Sequence, residues 1–168
     1  MKQFFSTRWI FIYVLLLSVG MLLGAGYLQY NKGLIPCPLC QLQRFMLGAI
    51  GLIAFFAIIH NPKPKNAKIY SILTILSSIS GSIFATRQVQ LQSQSIMAAS
   101  ANCGVSLDYV LDTLPILEAI KFIFQGNGSC AEVSWRIYGF SLAELTIGTF
   151  IIFILLAMFQ ILTTRKSL

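Results

Sequence analysis

The chain has 168 residues, of which 57% are hydrophobic and 10% are charged, and its formal net charge is +7. A composition this apolar and this poor in charge is typical of a membrane protein. The positions of the Lys and Arg residues argue against nucleic-acid binding, because these residues flank apolar segments instead of forming one basic surface.

Charge is absent from four windows of the sequence, at residues 9–31, 45–59, 69–86 and 145–164. In hydrocarbon every backbone polar group needs an internal partner, and no window shows the alternation of a barrel strand, so the windows are predicted to be helices. We predict an all-α membrane protein with a single domain over 1–168. Its four-helix bundle spans the membrane at about 9–29, 39–60, 68–87 and 142–163, with extracytoplasmic loops at about 30–38 and 88–141. The first apolar run is longer than that of a signal peptide, which favours an uncleaved helix.

The basic residues predict the orientation of the bundle. They cluster before the first helix, between the second and third, and after the fourth: Lys2, Arg8, Lys63, Lys65, Lys68, Arg165 and Lys166. By the positive-inside rule both termini are cytoplasmic, and all four cysteines lie on or near the outer face. In bacteria that face is oxidising, so disulfides can persist there.

A Cys-Pro-Leu-Cys motif at 37–40 begins the second helix. Gln41 follows in place of His, which excludes c-type haem attachment, and no second close Cys/His pair is present for zinc, so a redox role remains. With Cys37 as N-cap, Pro38 takes the first helical position and Cys40 falls in the first turn. A Cys40 thiolate there would face unpaired backbone N–H groups and the positive end of the helix dipole, which stabilise its charge.

Arg44 falls one turn after Cys40, on the same helix face. A guanidinium near the membrane interface is costly without an anionic or strongly dipolar partner. A thiolate or a carbonyl oxygen of a bound ligand would serve, and the alternative is that Arg44 extends to the lipid head groups.

The other two cysteines, Cys103 and Cys130, lie in the long second loop between small and polar residues. They form either a permanent staple or a second redox pair that exchanges with the first. Between them, apolar residues recur at helical spacing: Leu111, Leu114, Leu117, Ile120 and Phe124. This spacing predicts a short amphipathic helix, either on the membrane surface or packed over the bundle.

Together these residues resemble the disulfide-bond formation protein B (DsbB) family over nearly the whole chain. The resemblance rests on Tyr-Leu-Gln at 27–29, Pro-Cys-Pro-Leu-Cys at 36–40, Gln-Arg at 43–44, Arg-Gln at 87–88, Cys-Gly at 103–104, Leu-Asp-Tyr at 107–109 and Cys-Ala-Glu at 130–132, with Trp135 and Gly139. The vitamin K epoxide reductases also use four helices and two cysteine pairs, but their Cys-x-x-Cys comes late in the chain, so the order of the pairs argues against them.

The resemblance implies a quinone-dependent thiol oxidase of the bacterial inner membrane that reoxidises a DsbA-like dithiol protein. The partner would attack a Cys103–Cys130 disulfide, forming a mixed disulfide at Cys103, and the freed Cys130 would engage Cys37. Cys40 would remain as the thiolate beside ubiquinone or menaquinone, with Arg44 stabilising it and polarising a quinone carbonyl. The resemblance implies no metal site. The alternative from a different class is a structural membrane protein whose two disulfides are staples.

The sequence departs from the family pattern in two places. A His that often follows the Arg-Gln motif is missing from the stretch Gln-Leu-Gln-Ser at 90–93, and Leu145 replaces a Trp that is frequent at the start of the fourth helix. The only histidine, His60, is predicted to be an interfacial residue at the cytoplasmic end of the second helix.

Overall fold

The computed structural model describes residues 7–33, 36–62, 64–93, 112–115, 117–118, 121, 136–137 and 139–166. Its long helices are α1 (Thr7–Lys32), α2 (Pro38–His60), α3 (Pro64–Ser93) and α4 (Leu142–Lys166). Two short strands, β1 (Arg136–Ile137) and β2 (Phe140–Ser141), pair antiparallel immediately before α4.

All four long helices are long and apolar enough to cross a membrane, over Arg8–Asn31, Pro38–His60, Asn66–Ser93 and Leu142–Thr164. Many of their large apolar side chains are exposed, among them Leu16, Leu52, Leu76 and Leu155. In water such a surface would drive aggregation, whereas lipid tails solvate it. The prediction of an all-α, four-helix membrane protein is confirmed, and the chain is a multi-pass membrane protein.

The ends of α2 follow from local chemistry. Cys37 is the N-cap in an extended conformation (φ −70°, ψ 163°), and Pro38 takes the first helical position, where its missing N–H has no intrahelical acceptor to lose. At the other end, Asn61 adopts a left-handed conformation (φ 41°, ψ 59°) and donates its N–H to the carbonyl of Ala57. Pro62 follows and cannot continue the helix.

The start of α4 is held by a reciprocal cap. The Ser141 N–H donates to the Glu144 carboxylate at 2.6 Å, and the Glu144 N–H donates to the Ser141 hydroxyl at 3.3 Å. This capping box satisfies two backbone donors that the first turn leaves without helical partners. Together with the β1–β2 hairpin, it fixes where the chain re-enters the membrane.

The bundle packs chiefly through three helix pairs, α1 with α2, α2 with α3, and α3 with α4. The core combines aromatic and aliphatic side chains with alanines, which let the helices approach closely: Phe11, Val14, Leu47, Ile50, Ala54, Ala57, Ala67, Phe150 and Phe153. Gly81 is the tightest point, because a Cβ at this position would overlap the Phe150 ring of α4. α3 and α4 therefore depend on a glycine for their close contact.

The predicted amphipathic helix of the second loop is interrupted. Residues 112–113, 117–118 and 121 are helical, but Leu114 and Pro115 are not. Pro115 has no N–H to donate and disfavours helical geometry in the residue before it, so a continuous helix over 111–124 was wrong at this point. Of the five apolar residues that predicted the helix, Leu111, Ile120 and Phe124 lie outside the described residues.

Candidate active site

The two cysteines of the 37–40 motif form a dithiol at the first turn of α2. The Cys37 sulfur accepts the backbone N–H of Cys40 at 3.4 Å, and the Cys37 carbonyl accepts the N–H of Gln41 at 3.0 Å. The two sulfurs are 3.2 Å apart, with the Cys37 thiol donating to Cys40. A disulfide bond is about 2.05 Å long, so only a small further approach of the side chains is needed to close it.

The dithiol lies against an apolar cluster formed by α2, α3 and the second loop. Cys37 is 5% exposed and Leu39 0%, and Leu91 of α3 packs with them. Leu114 from the second loop also contacts this cluster. The loop that carries the second cysteine pair therefore reaches the first pair at Leu114, and Cys37 is shielded from water.

The other side of the dithiol is polar. The Nε2 group of Gln88, in α3, donates to the Cys40 sulfur at 3.1 Å. The Nε2 group of Gln43, in α2, donates in turn to Oε1 of Gln88 at 2.7 Å. Both glutamines are buried, at 4% and 5% exposure for Gln43 and Gln88. Two side-chain donors, the Cys37 thiol and the Gln88 amide, therefore converge on the Cys40 sulfur.

Arg44 is half-buried and joins α2 to α1. Its Nη1 donates to Oε1 of Gln29, and its Nη2 donates to the carbonyl of Ala25 at 3.1 Å. The guanidinium is thus held within the bundle by dipolar partners, which lower the cost of placing the charge there. These two hydrogen bonds disagree with the alternative interpretation, in which Arg44 extends to the lipid head groups without a partner in the protein.

Three of the five residues predicted for the site are described, Cys37, Cys40 and Arg44. The two cysteines are in contact, whereas the Arg44 guanidinium, one helical turn after Cys40, bonds to α1. Cys103 and Cys130 lie outside the described residues. Within the part of the chain that is described, no group of three or more His, Cys, Asp or Glu side chains could hold a metal ion. His60, near the other end of α2, is exposed and pairs with the Tyr70 hydroxyl at 2.7 Å.

The glutamines are the residues that sequence reasoning missed. Gln43 and Gln88 entered the sequence analysis only as parts of short motifs, and Gln29 likewise. A signal was available, since an amide inside an apolar helix needs a hydrogen-bond partner and its partner is often functional.

Comparison with known proteins identifies the family of this chain. The family model "Disulfide bond formation protein DsbB" matches residues 7–160. The chain belongs to the DsbB family. Disulfide bond formation protein B of Marinobacter nauticus is 40% identical over 157 residues, covering 94% of this chain and 93% of the relative. The protein of the same name from Nitrosococcus oceani is 36% identical, covering 92% of this chain and 91% of the relative.

A third relative, disulfide bond formation protein B 1 of Pseudomonas aeruginosa, is 35% identical over 94% of this chain and 96% of its own length. Membership of the DsbB family supports a disulfide-forming oxidoreductase in a bacterial membrane. The match with the family model begins at the first described residue of α1 and ends within α4. It therefore includes α1, α2 and α3, most of α4, and all four cysteines.

Proposed function

We propose that the protein is a protein-dithiol:quinone oxidoreductase of the bacterial inner membrane. It oxidises a DsbA-like, thioredoxin-fold dithiol protein and passes the electrons through its two cysteine pairs to ubiquinone or menaquinone. The observation that carries this proposal is the position of the dithiol. Its sulfurs are in contact at the first turn of a membrane helix, and a half-buried guanidinium follows one turn later. A disulfide that served only as a staple would need neither this cation nor a side-chain donor at one sulfur.

The residues around Arg44 fit a quinone. A quinone is apolar except for its carbonyl oxygens, which accept hydrogen bonds, and a guanidinium has five N–H donors. With the described residues Arg44 makes two hydrogen bonds, both to α1, so donors remain for a ligand carbonyl. When bound, a quinone supplies a two-electron acceptor inside the bilayer.

The cysteines divide the reaction into exchange and oxidation. A thiolate of the partner attacks the Cys103–Cys130 disulfide at Cys103, and the second partner thiol then displaces Cys103 to complete the partner's own disulfide. Cys130 attacks Cys37 of the oxidised first pair and releases Cys40 as a thiolate. When Cys103 closes again on Cys130, Cys37 is left reduced, and two electrons and two protons have entered the first pair. They leave it when the Cys37–Cys40 disulfide re-forms.

The proposed orientation places this chemistry outside the cytoplasm. Basic residues dominate the two termini and the link between α2 and α3, so both termini face the cytoplasm. The N-terminal end of α2 and the second loop then face the periplasm. A soluble periplasmic dithiol protein meets the second loop, while the lipid-soluble acceptor approaches from the bilayer.

Thiol trapping in cells tests the proposal. We expect Cys37 and Cys40 to become reduced and alkylatable when the cells lack oxygen and other terminal acceptors, because the pair then cannot discharge its electrons. The same cells with oxygen provide the control, and there the pair should be closed. If the Cys37–Cys40 pair stays closed under both conditions, it is a structural disulfide and the proposal is wrong.

An assay with purified protein tests whether a quinone is the electron acceptor. Reduced partner is added to the protein with either ubiquinone or menaquinone, and quinone absorbance is followed. We expect absorbance to fall with at least one of them, and Cys37→Ser protein to show no change. Partner oxidation without any loss of quinone absorbance would contradict a quinone-dependent reaction.

A further inference from the structure

Gln88 contacts the reacting sulfur from a different helix. Its amide donates to the Cys40 sulfur at 3.1 Å, and the side chain is 5% exposed near the C-terminal end of α3. Burying an amide without a hydrogen-bond partner is unfavourable. Among the described residues, this amide bonds to the Cys40 sulfur at its donor end and to Gln43 at its carbonyl end.

Gln43 fixes which end of the amide faces the sulfur. An amide has a carbonyl end that only accepts and an NH₂ end that only donates. The Gln43 Nε2 group donates to Oε1 of Gln88 at 2.7 Å, which holds the carbonyl end away from the dithiol. The NH₂ end of Gln88 therefore faces Cys40. If Gln88 rotated by half a turn, its carbonyl would face the sulfur and would disfavour a negative charge on it.

The contact also distinguishes the two cysteines. The Cys40 sulfur receives the Gln88 amide and the Cys37 thiol, whereas the Cys37 sulfur receives the backbone N–H of Cys40. Hydrogen bonds to an ionised acceptor are about twice as strong as those to a neutral one. An amide that faces Cys40 alone thus stabilises a thiolate there more than a thiol or a disulfide.

We propose that Gln88 is a catalytic residue that stabilises Cys40 as the thiolate of the reduced pair, and that Gln43 is a positioning residue that keeps the donor end of Gln88 on the sulfur. This inference rests on the proposed function, since it describes the redox pair used there. It adds that the thiolate depends on a donor from α3 as well as on the helix N-terminus and Arg44.

Gln88→Met tests the proposal, because methionine keeps the length and volume of the side chain but cannot donate. The full-length protein is reduced, and alkylation of Cys40 at pH 7 is followed by peptide mass spectrometry without added quinone. We expect alkylation about tenfold slower, the factor that corresponds to loss of one hydrogen bond to a charged group. Gln43→Met should slow alkylation in the same direction but less, because Gln88 keeps its donor while losing its fixed orientation.

The equilibrium of the pair gives a second readout. A donor that stabilises the thiolate favours the reduced pair, so its loss should make the Cys37–Cys40 disulfide harder to reduce. In a glutathione redox titration we expect about a tenfold change in the equilibrium constant, which is about 30 mV towards more negative potential for a two-electron couple. A role in packing alone would leave the potential unchanged.

Gln160→Met is the matched control. Gln160 is also a buried glutamine of a membrane helix, 1% exposed, but neither of its side-chain polar atoms has a hydrogen-bond partner among the residues that the structure describes. We expect it to alter neither alkylation nor potential. Unchanged alkylation and potential in Gln88→Met would overturn the proposal, as would an unchanged Gln43→Met if Gln88→Met does not fold. Both readouts omit quinone and the partner, so they can succeed even if the proposed acceptor is wrong, and can fail even if quinone is reduced.

Discussion

We expect replacement of Arg44 by alanine to separate the two halves of the proposed reaction, exchange with the soluble partner and electron transfer to the membrane acceptor. Arg44 is the cation that follows Cys40 by one helical turn, and it is held by Gln29 and the Ala25 carbonyl of α1. In the proposed function, the substitution removes a positive charge that would favour a Cys40 thiolate and a donor that would bind a quinone carbonyl. The Cys103–Cys130 pair is not altered.

The magnitude follows from the hydrogen bonds that are lost. A hydrogen bond that involves a charged group contributes about 1.5–3 kcal/mol. If one such interaction acts on the acceptor or on the thiolate, quinone reduction should fall by roughly 10- to 100-fold at 1.4 kcal/mol per factor of ten. Arg44→Lys should recover only part of the rate, because an ammonium keeps the charge but loses the planar fork that spans two acceptors.

The assay uses purified protein with a reduced partner and a quinone, and follows both quinone absorbance and partner disulfide. Arg8→Ala is the control, because Arg8 is an exposed arginine at the opposite end of α1 from Gln29. We expect Arg44→Ala to slow quinone reduction and weaken quinone affinity while the mixed disulfide with the partner still forms. Unchanged quinone kinetics in a normally folded Arg44→Ala protein would show that Arg44 only ties α2 to α1.

Three further changes test the relay, the orientation and the packing. The Cys130→Ser protein should accumulate a mixed disulfide between Cys103 and the partner, visible on non-reducing gels, because the thiol that passes electrons to Cys37 is missing. If the Cys103→Ser protein instead forms an adduct through Cys130, the partner attacks Cys130 and not Cys103. A reporter fused after Lys65 should behave as cytoplasmic, and a periplasmic signal would refute the proposed orientation. Gly81→Ala should reduce the free energy of unfolding by about 1–3 kcal/mol, the cost of an overpacked site, and so lower the thermal unfolding midpoint in detergent. Gly20→Ala, with open space around it, should leave the midpoint unchanged. Equal midpoints for the two variants would show that α3 and α4 move apart at little cost.

The number and type of the helices could be predicted because the bilayer acts on each segment separately. Exclusion of charge over the length of a bilayer core and the need for internal backbone hydrogen bonds are properties of one helix at a time. The buried face of α3 was harder to predict, because small hydroxyl residues lie inside and isoleucines lie outside. Ser71, Thr74 and Ser78 are buried, and each donates to a carbonyl one turn earlier, whereas Ile72 and Ile79 are exposed.

This arrangement is the reverse of a soluble helix and follows from the solvent. Lipid tails are as apolar as isoleucine, so nothing drives large apolar side chains inward, and small residues at the interface allow close backbone contact. Hydropathy therefore shows which residues span the membrane, but it does not show which face of the helix packs against the other helices. For the same reason the loop prediction failed at Leu114 and Pro115, where a periodic apolar pattern was read without the backbone restriction that proline imposes.

The candidate site likewise contains residues that one helix relates, which could be predicted, and a contact between helices, which could not. Cys37, Cys40 and Arg44 could be predicted together because one helix turn relates them, and a helix start fixes their geometry. The contact between Gln88 and Cys40 could not be predicted, because it joins residues 48 positions apart on two different helices, and no single-helix pattern specifies which residues of α3 face the dithiol. Tertiary contacts of this kind require the relative rotation of the helices, which depends on the whole interface.

The two cysteines of the 37–40 motif also form the N-terminal cap of α2. In a capping box the N-cap side chain accepts the N–H of the third helical residue, and the side chain of that residue reaches back. Here Cys37 is the N-cap and Cys40 is the third helical residue, with the Cys40 N–H on the Cys37 sulfur and the two sulfurs in contact. The two-residue spacing therefore follows from cap geometry, with Pro38 setting the first helical φ. The cap holds the two sulfurs within reach of each other while they are reduced, so α2 can begin at the same residue in both redox states.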